Sequence, residues 1–167
     1  MQEGFLHPIT GFDHLLAMLA LGLWCGLMLQ RQWLPPLTFA GFMALGLALT
    51  QTAFALPAVE PMVAASLLAF GLLLIAQRRL PTGLAMALAA VFASFHGFAH
   101  GEVFPTDLNA SMFAGYMAGM LAATLLLHAT GVVLGQAVQR HARRWAPAAA
   151  SVVGLAALGY GAFALAA

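Results

Sequence analysis

Two short stretches of the chain contain side chains that bind transition metals. The first includes His7, Asp13 and His14, and the second includes His96 and His100. His96 and His100 are four residues apart, so on a helix their imidazoles share one face and reach the same ion. Neutral imidazole suits Zn, Cu, Ni and Fe, whereas calcium and magnesium prefer oxygen ligands. The pattern predicts a site for a divalent transition-metal ion, with Asp13 either a ligand or a carboxylate that orients an imidazole.

Three further side chains are candidate metal ligands. Glu60 and Glu102 are expected on the same side of the protein as the histidine clusters, where each supplies an oxygen ligand or attracts cations. His128 lies inside an apolar run. For His128, metal contact and a hydrogen bond between helices are equally good interpretations.

The rest of the chain is unusually apolar. Of 167 residues, 63% are hydrophobic and 7% are charged, whereas a soluble domain has about 25% charged residues. This composition predicts an integral membrane protein surrounded by the lipid bilayer. Long runs of Leu, Ala and Met predict helices, which satisfy their own backbone hydrogen bonds in lipid. The net charge of +1 and the scattered arginines predict no nucleic-acid partner.

The apolar runs predict one transmembrane domain, residues 1–167, built as an all-α bundle of six transmembrane helices. The predicted segments are 11–29, 37–56, 61–76, 81–100, 111–134 and 147–166. Proline is favoured in the first turn of a helix. The prolines expected to mark helix starts are Pro8, Pro36, Pro61, Pro81 and Pro147. Asp107 and Asn109 are expected to cap the fifth segment.

The basic residues predict how the bundle is oriented. They occupy the connections after the first, third and fifth segments: Arg31, Arg78, Arg79, Arg140, Arg143 and Arg144. Because basic loops tend to stay in the cytoplasm, these connections are expected to be cytoplasmic and both termini extracytoplasmic, in the cell inner membrane. The short N-terminal tail is typical of a chain whose secretory signal has been removed.

These residues closely resemble the motifs of the HupE/UreJ family of nickel and cobalt permeases, and the resemblance covers essentially the whole chain. The matching residues are His7-Pro8 followed by Gly11, Asp13 and His14, then Val59-Glu60, Phe95-His96-Gly97, Ala99-His100-Gly101 and Leu127-His128. The family commonly has a Glu three residues after the last histidine of its second motif. This chain has Val103 there, and Glu102 is the nearest acid. The resemblance implies uptake of Ni²⁺, or of Co²⁺, by a protein that is not an enzyme and holds no prosthetic group.

The resulting hypothesis is a secondary transporter with a His/Asp/Glu site between the first and fourth predicted helices. A membrane potential of 100 mV gives about 2.3 kcal/mol per charge, and a divalent ion gains roughly twice that. The sequence has no Walker-type phosphate loop, so ATP coupling is not expected. Zn²⁺ as the ion, proton coupling and homo-oligomerisation all stay open.

Two other classes use the same residues. An intramembrane metalloenzyme would place a metal with an open coordination position at the same His and Asp residues, although the HExxH sequence is absent. A haem-binding electron carrier would use paired histidines on facing helices as axial ligands. Metal flux without turnover of a lipid or peptide excludes the first class, and a colourless preparation excludes the second.

Overall fold

The apolar runs of the sequence fold into helices. The computed structural model describes residues 1–102, 104 and 109–166. Within these ranges all regular secondary structure is helical, and no strand is present. The helices are α1 Gln2–Thr10, α2 Phe12–Met28, α3 Leu34–Leu49, α4 Val59–Ile75, α5 Thr82–Glu102, α6 Ala110–His141 and α7 Ala146–Ala166. A short 3-10 turn, Arg143–Trp145, precedes α7. The all-α prediction is confirmed for the described residues.

Four predicted segments, 11–29, 61–76, 81–100 and 147–166, match α2, α4, α5 and α7 to within two residues at either end. The segment 37–56 is too long, because α3 ends at Leu49. There the hydroxyl of Thr50 donates to the Leu47 carbonyl oxygen, and that of Thr52 to the Leu49 carbonyl oxygen. The segment 111–134 is too short, because α6 continues to His141 after its composition becomes polar.

The start of α6 follows the predicted capping. The side chain of Asn109 accepts a hydrogen bond from the backbone N–H of Met112 at 3.0 Å. This bond satisfies one of the backbone N–H groups that a helix leaves free in its first turn. Asp107, the other predicted cap, lies outside the described residues, as does Val103.

Three helical stretches are long and apolar enough to cross a membrane: Thr82–Glu102, Ala110–His141 and Arg143–Ala166. A fourth is obtained if α1 and α2, which are bent by 78° at a short break, count as one span. With 16 and 17 residues, α3 and α4 are shorter than the span of about 20 residues that a bilayer requires. The apolar helices indicate a membrane protein, and the count of six spans stays a prediction.

Helix α2 is the central element of the bundle. All residues from 20 to 29 are buried, and α2 packs against α6, α4 and α7. Glycine allows a close approach of α2 to α6, since a Cβ atom on Gly22 would lie 2.4 Å from the carbonyl oxygen of His128. Around this centre, α3 pairs with α5 and α4 pairs with α7. The outer faces expose large apolar side chains, including Leu126, Val152 and Phe163, as expected for contact with lipid.

The two ends of the bundle differ in charge. At one end, Arg79 and Arg143 line a common cavity of about 250 Å³. At the same end, the indole N–H of Trp24 donates to the Arg78 carbonyl oxygen at 2.8 Å. At the other end, Asp13 and Glu60 line a cavity of about 140 Å³ together with residues near the end of α7. The acidic end also holds the histidines described below.

Candidate metal centre

Four of the predicted ligands come together in the structure. The ring centroid of His14 lies 4.2 Å from that of His100 and 5.0 Å from that of His96. His7 completes the group, with its centroid 4.9 Å from His100 and 6.1 Å from His14. We call His7, His14, His96 and His100 the four-histidine cluster. Three separate helices contribute to it, so tertiary packing assembles it.

A break between α1 and α2 brings His7 to His14. The prediction that a helix starts near Pro8 is wrong, because Pro8 lies inside α1 and the break comes at Gly11. In one straight helix, seven residues would separate the two histidines by about 10 Å along the axis. The 78° bend instead turns His7 back towards the start of α2. Gly11 leaves room there, since a Cβ atom at this position would lie 3.2 Å from Asp13 Oδ1.

His96 and His100 lie on α5 as the sequence predicts, and both are buried, with 0% and 1% of their surface exposed. Close packing holds this part of α5 against its neighbours. A Cβ atom on Gly97 would lie 2.2 Å from the carbonyl oxygen of Met43 in α3. From α6, the hydroxyl of Tyr116 donates to the His100 carbonyl oxygen at 3.4 Å. These contacts fix the backbone of α5 at the two histidines.

Asp13 orients the imidazole of His14. Its Oδ1 atom lies 2.8 Å from His14 Nδ1. A carboxylate only accepts, so Nδ1 is the donor and Nε2 of the neutral ring keeps a free lone pair. Among the described residues, His14 Nε2 is buried and has no hydrogen-bond partner. A carboxylate that fixes the ring of a metal-binding histidine in this way is a common feature of metal sites.

Ser66 orients the imidazole of His96 in a similar way. The Ser66 hydroxyl lies 2.6 Å from the Val63 carbonyl oxygen and 2.9 Å from His96 Nε2. Its single proton is donated to the carbonyl, so its oxygen accepts from His96 Nε2–H and Nδ1 of His96 keeps the lone pair. Within the described residues, His96 Nδ1 has no partner. Sequence analysis missed Ser66, although it is the only polar side chain in the segment 61–76.

His128 is buried, with 0% exposed, but it lies outside the four-histidine cluster. Its Nδ1 donates to the Thr124 carbonyl oxygen in the preceding turn at 2.9 Å, because a carbonyl only accepts. The ring of Phe39 has its centroid 4.9 Å from that of His128 and 5.3 Å from that of His96. Phe39 thus contacts both histidines. The hydrogen bond that His128 makes stays within α6 and does not join two helices.

The predicted glutamates lie at the edge of the site. Glu60 is exposed at the start of α4 and lines a cavity with Asp13. Two carboxylates at one opening attract cations towards it. Glu102 is exposed at the last residue of α5, unlike the buried histidines of the same helix. The structure therefore brings Asp13 and the four histidines together and leaves Glu60 and Glu102 in more exposed positions.

The cluster is not a preformed coordination shell. In the described part of the chain, no three His, Cys, Asp or Glu side chains are placed so that they could hold one metal ion. The rings of His14 and His96 meet at a steep angle of 87°, and those of His7 and His100 at 83°. Binding one ion would require these rings to turn their free nitrogens towards a common point.

The histidines of the cluster lie in a part of the chain that is similar to known proteins. A family model described as HupE / UreJ protein matches residues 1–164. The chain belongs to the HupE/UreJ family. A curated relative, protein HupE of Rhizobium leguminosarum bv. viciae, is 40% identical over 132 residues, which cover 78% of this chain and 68% of the relative. No solved structure gives a significant match.

Membership of the HupE/UreJ family confirms the resemblance found in the sequence, and the match includes both histidine motifs. The family is associated with nickel and cobalt transport and is a transport or accessory family. Together with the apolar helices, this fits a membrane protein from a family associated with metal transport.

Proposed function

We propose that this protein is a permease that moves a divalent transition-metal ion, Ni²⁺ or Co²⁺, inward across the inner membrane. The ion binds at the four-histidine cluster, with Asp13 holding His14 in position. One observation supports this most directly: His14 Nε2 and His96 Nδ1 are buried without partners among the described residues, while the other nitrogen of each ring is held by an acceptor. A buried lone pair without a partner costs about 1–3 kcal/mol, which a bound cation offsets.

The geometry also suits transport better than permanent retention. Since the described rings do not form a ready coordination shell, binding includes a rotation of side chains, and the reverse rotation releases the ion. Asp13 and Glu60 attract the cation from the acidic end. We place that end, with both termini, outside the cell, and the arginine end in the cytoplasm. A potential that is negative inside then drives the ion towards the arginine end.

The test is uptake of Ni²⁺ and Co²⁺ into proteoliposomes containing the full chain. His14→Ala and His96→Ala each remove one free lone pair and are expected to lower uptake about tenfold or more, the scale on which metal sites respond to loss of a supporting group. His141→Ala is the matched control, because His141 is exposed at the far end of α6. Equal uptake by the parent and both cluster variants would contradict the proposed function.

A further inference from the structure

We infer that His128 is a second, inner binding position for the transported ion, separated from the four-histidine cluster by the ring of Phe39. This inference rests on the proposed function and extends it to the route inside the bundle. Sequence analysis left metal contact and a structural hydrogen bond as equal alternatives for His128. The hydrogen bonds and ring contacts of the structure favour metal contact.

The first argument is the free lone pair on His128. Its Nδ1 donates to the Thr124 carbonyl oxygen, so the neutral ring carries its lone pair on Nε2. That nitrogen is buried and has no partner among the described residues. A purely structural histidine in an apolar interior would be expected to use both ring nitrogens, because an unpartnered buried acceptor is costly. His128 instead has the same arrangement as His14 and His96.

The second argument is the continuous series of rings. From the acidic end inwards, neighbouring ring centroids are separated by 5.0 Å between His14 and His96, 5.3 Å between His96 and Phe39, and 4.9 Å between Phe39 and His128. Phenylalanine offers no lone pair, so an ion is not held at Phe39. In this proposal, the Phe39 ring moves when an ion passes from His96 to His128.

The third argument is depth. Gly22 of α2 packs directly against the backbone of His128. Gly22 is eight residues further along α2 than His14, which corresponds to about 12 Å. His128 therefore lies well inside the bundle, in the direction of the arginine end. An ion bound there has already passed through part of the membrane.

The chemistry around His128 fits a weak, transient position. The Thr124 hydroxyl, one turn earlier on α6, lies 3.5 Å from the sulfur of Met43 in α3. Met43 follows Phe39 by one helical turn, so the thioether and the Phe39 ring lie on the same face of α3. One imidazole, with a thioether beside the Thr124 hydroxyl one helical turn earlier, suits a borderline or soft divalent transition metal. Fewer and softer ligands than in the four-histidine cluster favour release of Ni²⁺ or Co²⁺ inwards.

The experiment measures binding and transport separately on the full-length protein. Ni²⁺ binding is measured by calorimetry in detergent, and Ni²⁺ uptake is measured in proteoliposomes. His128→Leu is expected to keep the calorimetric affinity of the outer site but to lower uptake about tenfold or more. His14→Ala is expected to lose both. His141→Leu, which removes an exposed histidine from the same helix, is expected to lose neither.

His128→Cys distinguishes a ligand from a structural residue, because a thiolate replaces the imidazole as a metal ligand but not its hydrogen bond to the Thr124 carbonyl. Uptake is expected to recover with Cys and not with Leu. Normal uptake by His128→Leu, loss of binding together with uptake in that variant, or equal loss in the Leu and Cys variants would each overturn the inner position. Unchanged binding and uptake in His14→Ala would instead contradict the proposed function.

Discussion

A neutral imidazole has one nitrogen that donates and one that accepts, and the protein decides which is which at three of its buried histidines. Asp13 fixes His14, Ser66 fixes His96, and the Thr124 carbonyl fixes His128. In each case the remaining nitrogen is buried and unpartnered among the described residues. In the proposed site, these acceptors determine which nitrogen of each neutral ring is free to bind a metal ion.

Asp13→Asn is expected to weaken Ni²⁺ binding about tenfold or more, because an uncharged amide oxygen holds the Nδ1–H of His14 less firmly than a carboxylate does. Calorimetric titration of the purified protein measures this change. Glu3→Gln is the matched control, since Glu3 is an exposed acid of α1. If Asp13→Asn bound Ni²⁺ as tightly as Glu3→Gln, Asp13 would not be the residue that positions His14.

Ser66→Ala is expected to lower the Ni²⁺ affinity on a similar scale, about tenfold, because His96 loses the acceptor that keeps its proton on Nε2. Nitrogen NMR of labelled histidines reports the tautomer directly in the metal-free protein. The control is Ser94→Ala, since among the described residues the Ser94 hydroxyl donates only to the Ala90 carbonyl oxygen of its own helix. An unchanged His96 spectrum in Ser66→Ala would show that Ser66 does not set the tautomer.

At the scale of the helices, small residues decide how closely the site can be assembled. Gly22 brings α2 against α6 at His128, and Gly97 brings α5 against α3 beside His96. At both positions the neighbouring atom is a backbone carbonyl oxygen, which cannot move aside as the end of a flexible side chain can. The spacing of the rings therefore depends on residues that carry no functional group.

Gly22→Ala is expected to lower the thermal stability of the detergent-solubilised protein, because the added methyl would lie 2.4 Å from the His128 carbonyl oxygen. Gly41→Ala provides the contrast, since among the described residues no atom lies within 4 Å of the new Cβ position. Alanine is favoured over glycine in a helix by up to about 1 kcal/mol, so Gly41→Ala should be neutral or stabilising. If the thermal unfolding midpoint of Gly22→Ala equalled that of Gly41→Ala, close packing at Gly22 would be contradicted.

The sequence predicts the helices better than it predicts the breaks and contacts between them. The pair His96 and His100 could be read from spacing alone, because neighbours four residues apart follow from helix geometry. The break at Gly11 could not, because proline occurs both in first turns and next to breaks, and only the packing of α1 on α6 selects between them. Phe39 gave no signal either, since one more aromatic ring in an apolar helix is ordinary. Ser66 differs from its segment in polarity, but its pairing with His96, 30 residues away, could not be read from the sequence.

For the whole molecule, the distribution of charge predicts the orientation in the membrane. Arg79 and Arg143 share a cavity at one end, and Asp13 and Glu60 share one at the other. The positive end is expected in the cytoplasm, which would place the four-histidine cluster near the outer face.

Cysteine labelling in intact cells tests this orientation. The single native cysteine, Cys25, is buried and gives little background. Gln30→Cys introduces an exposed thiol at the arginine end, and Ala53→Cys introduces one in the loop after α3 at the opposite end. A membrane-impermeant maleimide is expected to label Ala53→Cys in intact cells and Gln30→Cys only after permeabilisation. The reverse pattern would place the histidines on the cytoplasmic side.

The burial of residues 20 to 29 of α2 makes Trp24 a suitable internal probe. Trp24 joins this part of α2 to the turn after α4 through the Arg78 carbonyl oxygen. A movement that separates α2 from this turn at the arginine end would therefore stretch or break that bond. Indole emission shifts when its N–H loses a partner or meets water. With exposed Trp33 and Trp145 replaced by phenylalanine, the protein would carry a single, buried tryptophan whose emission wavelength reports whether the arginine end opens.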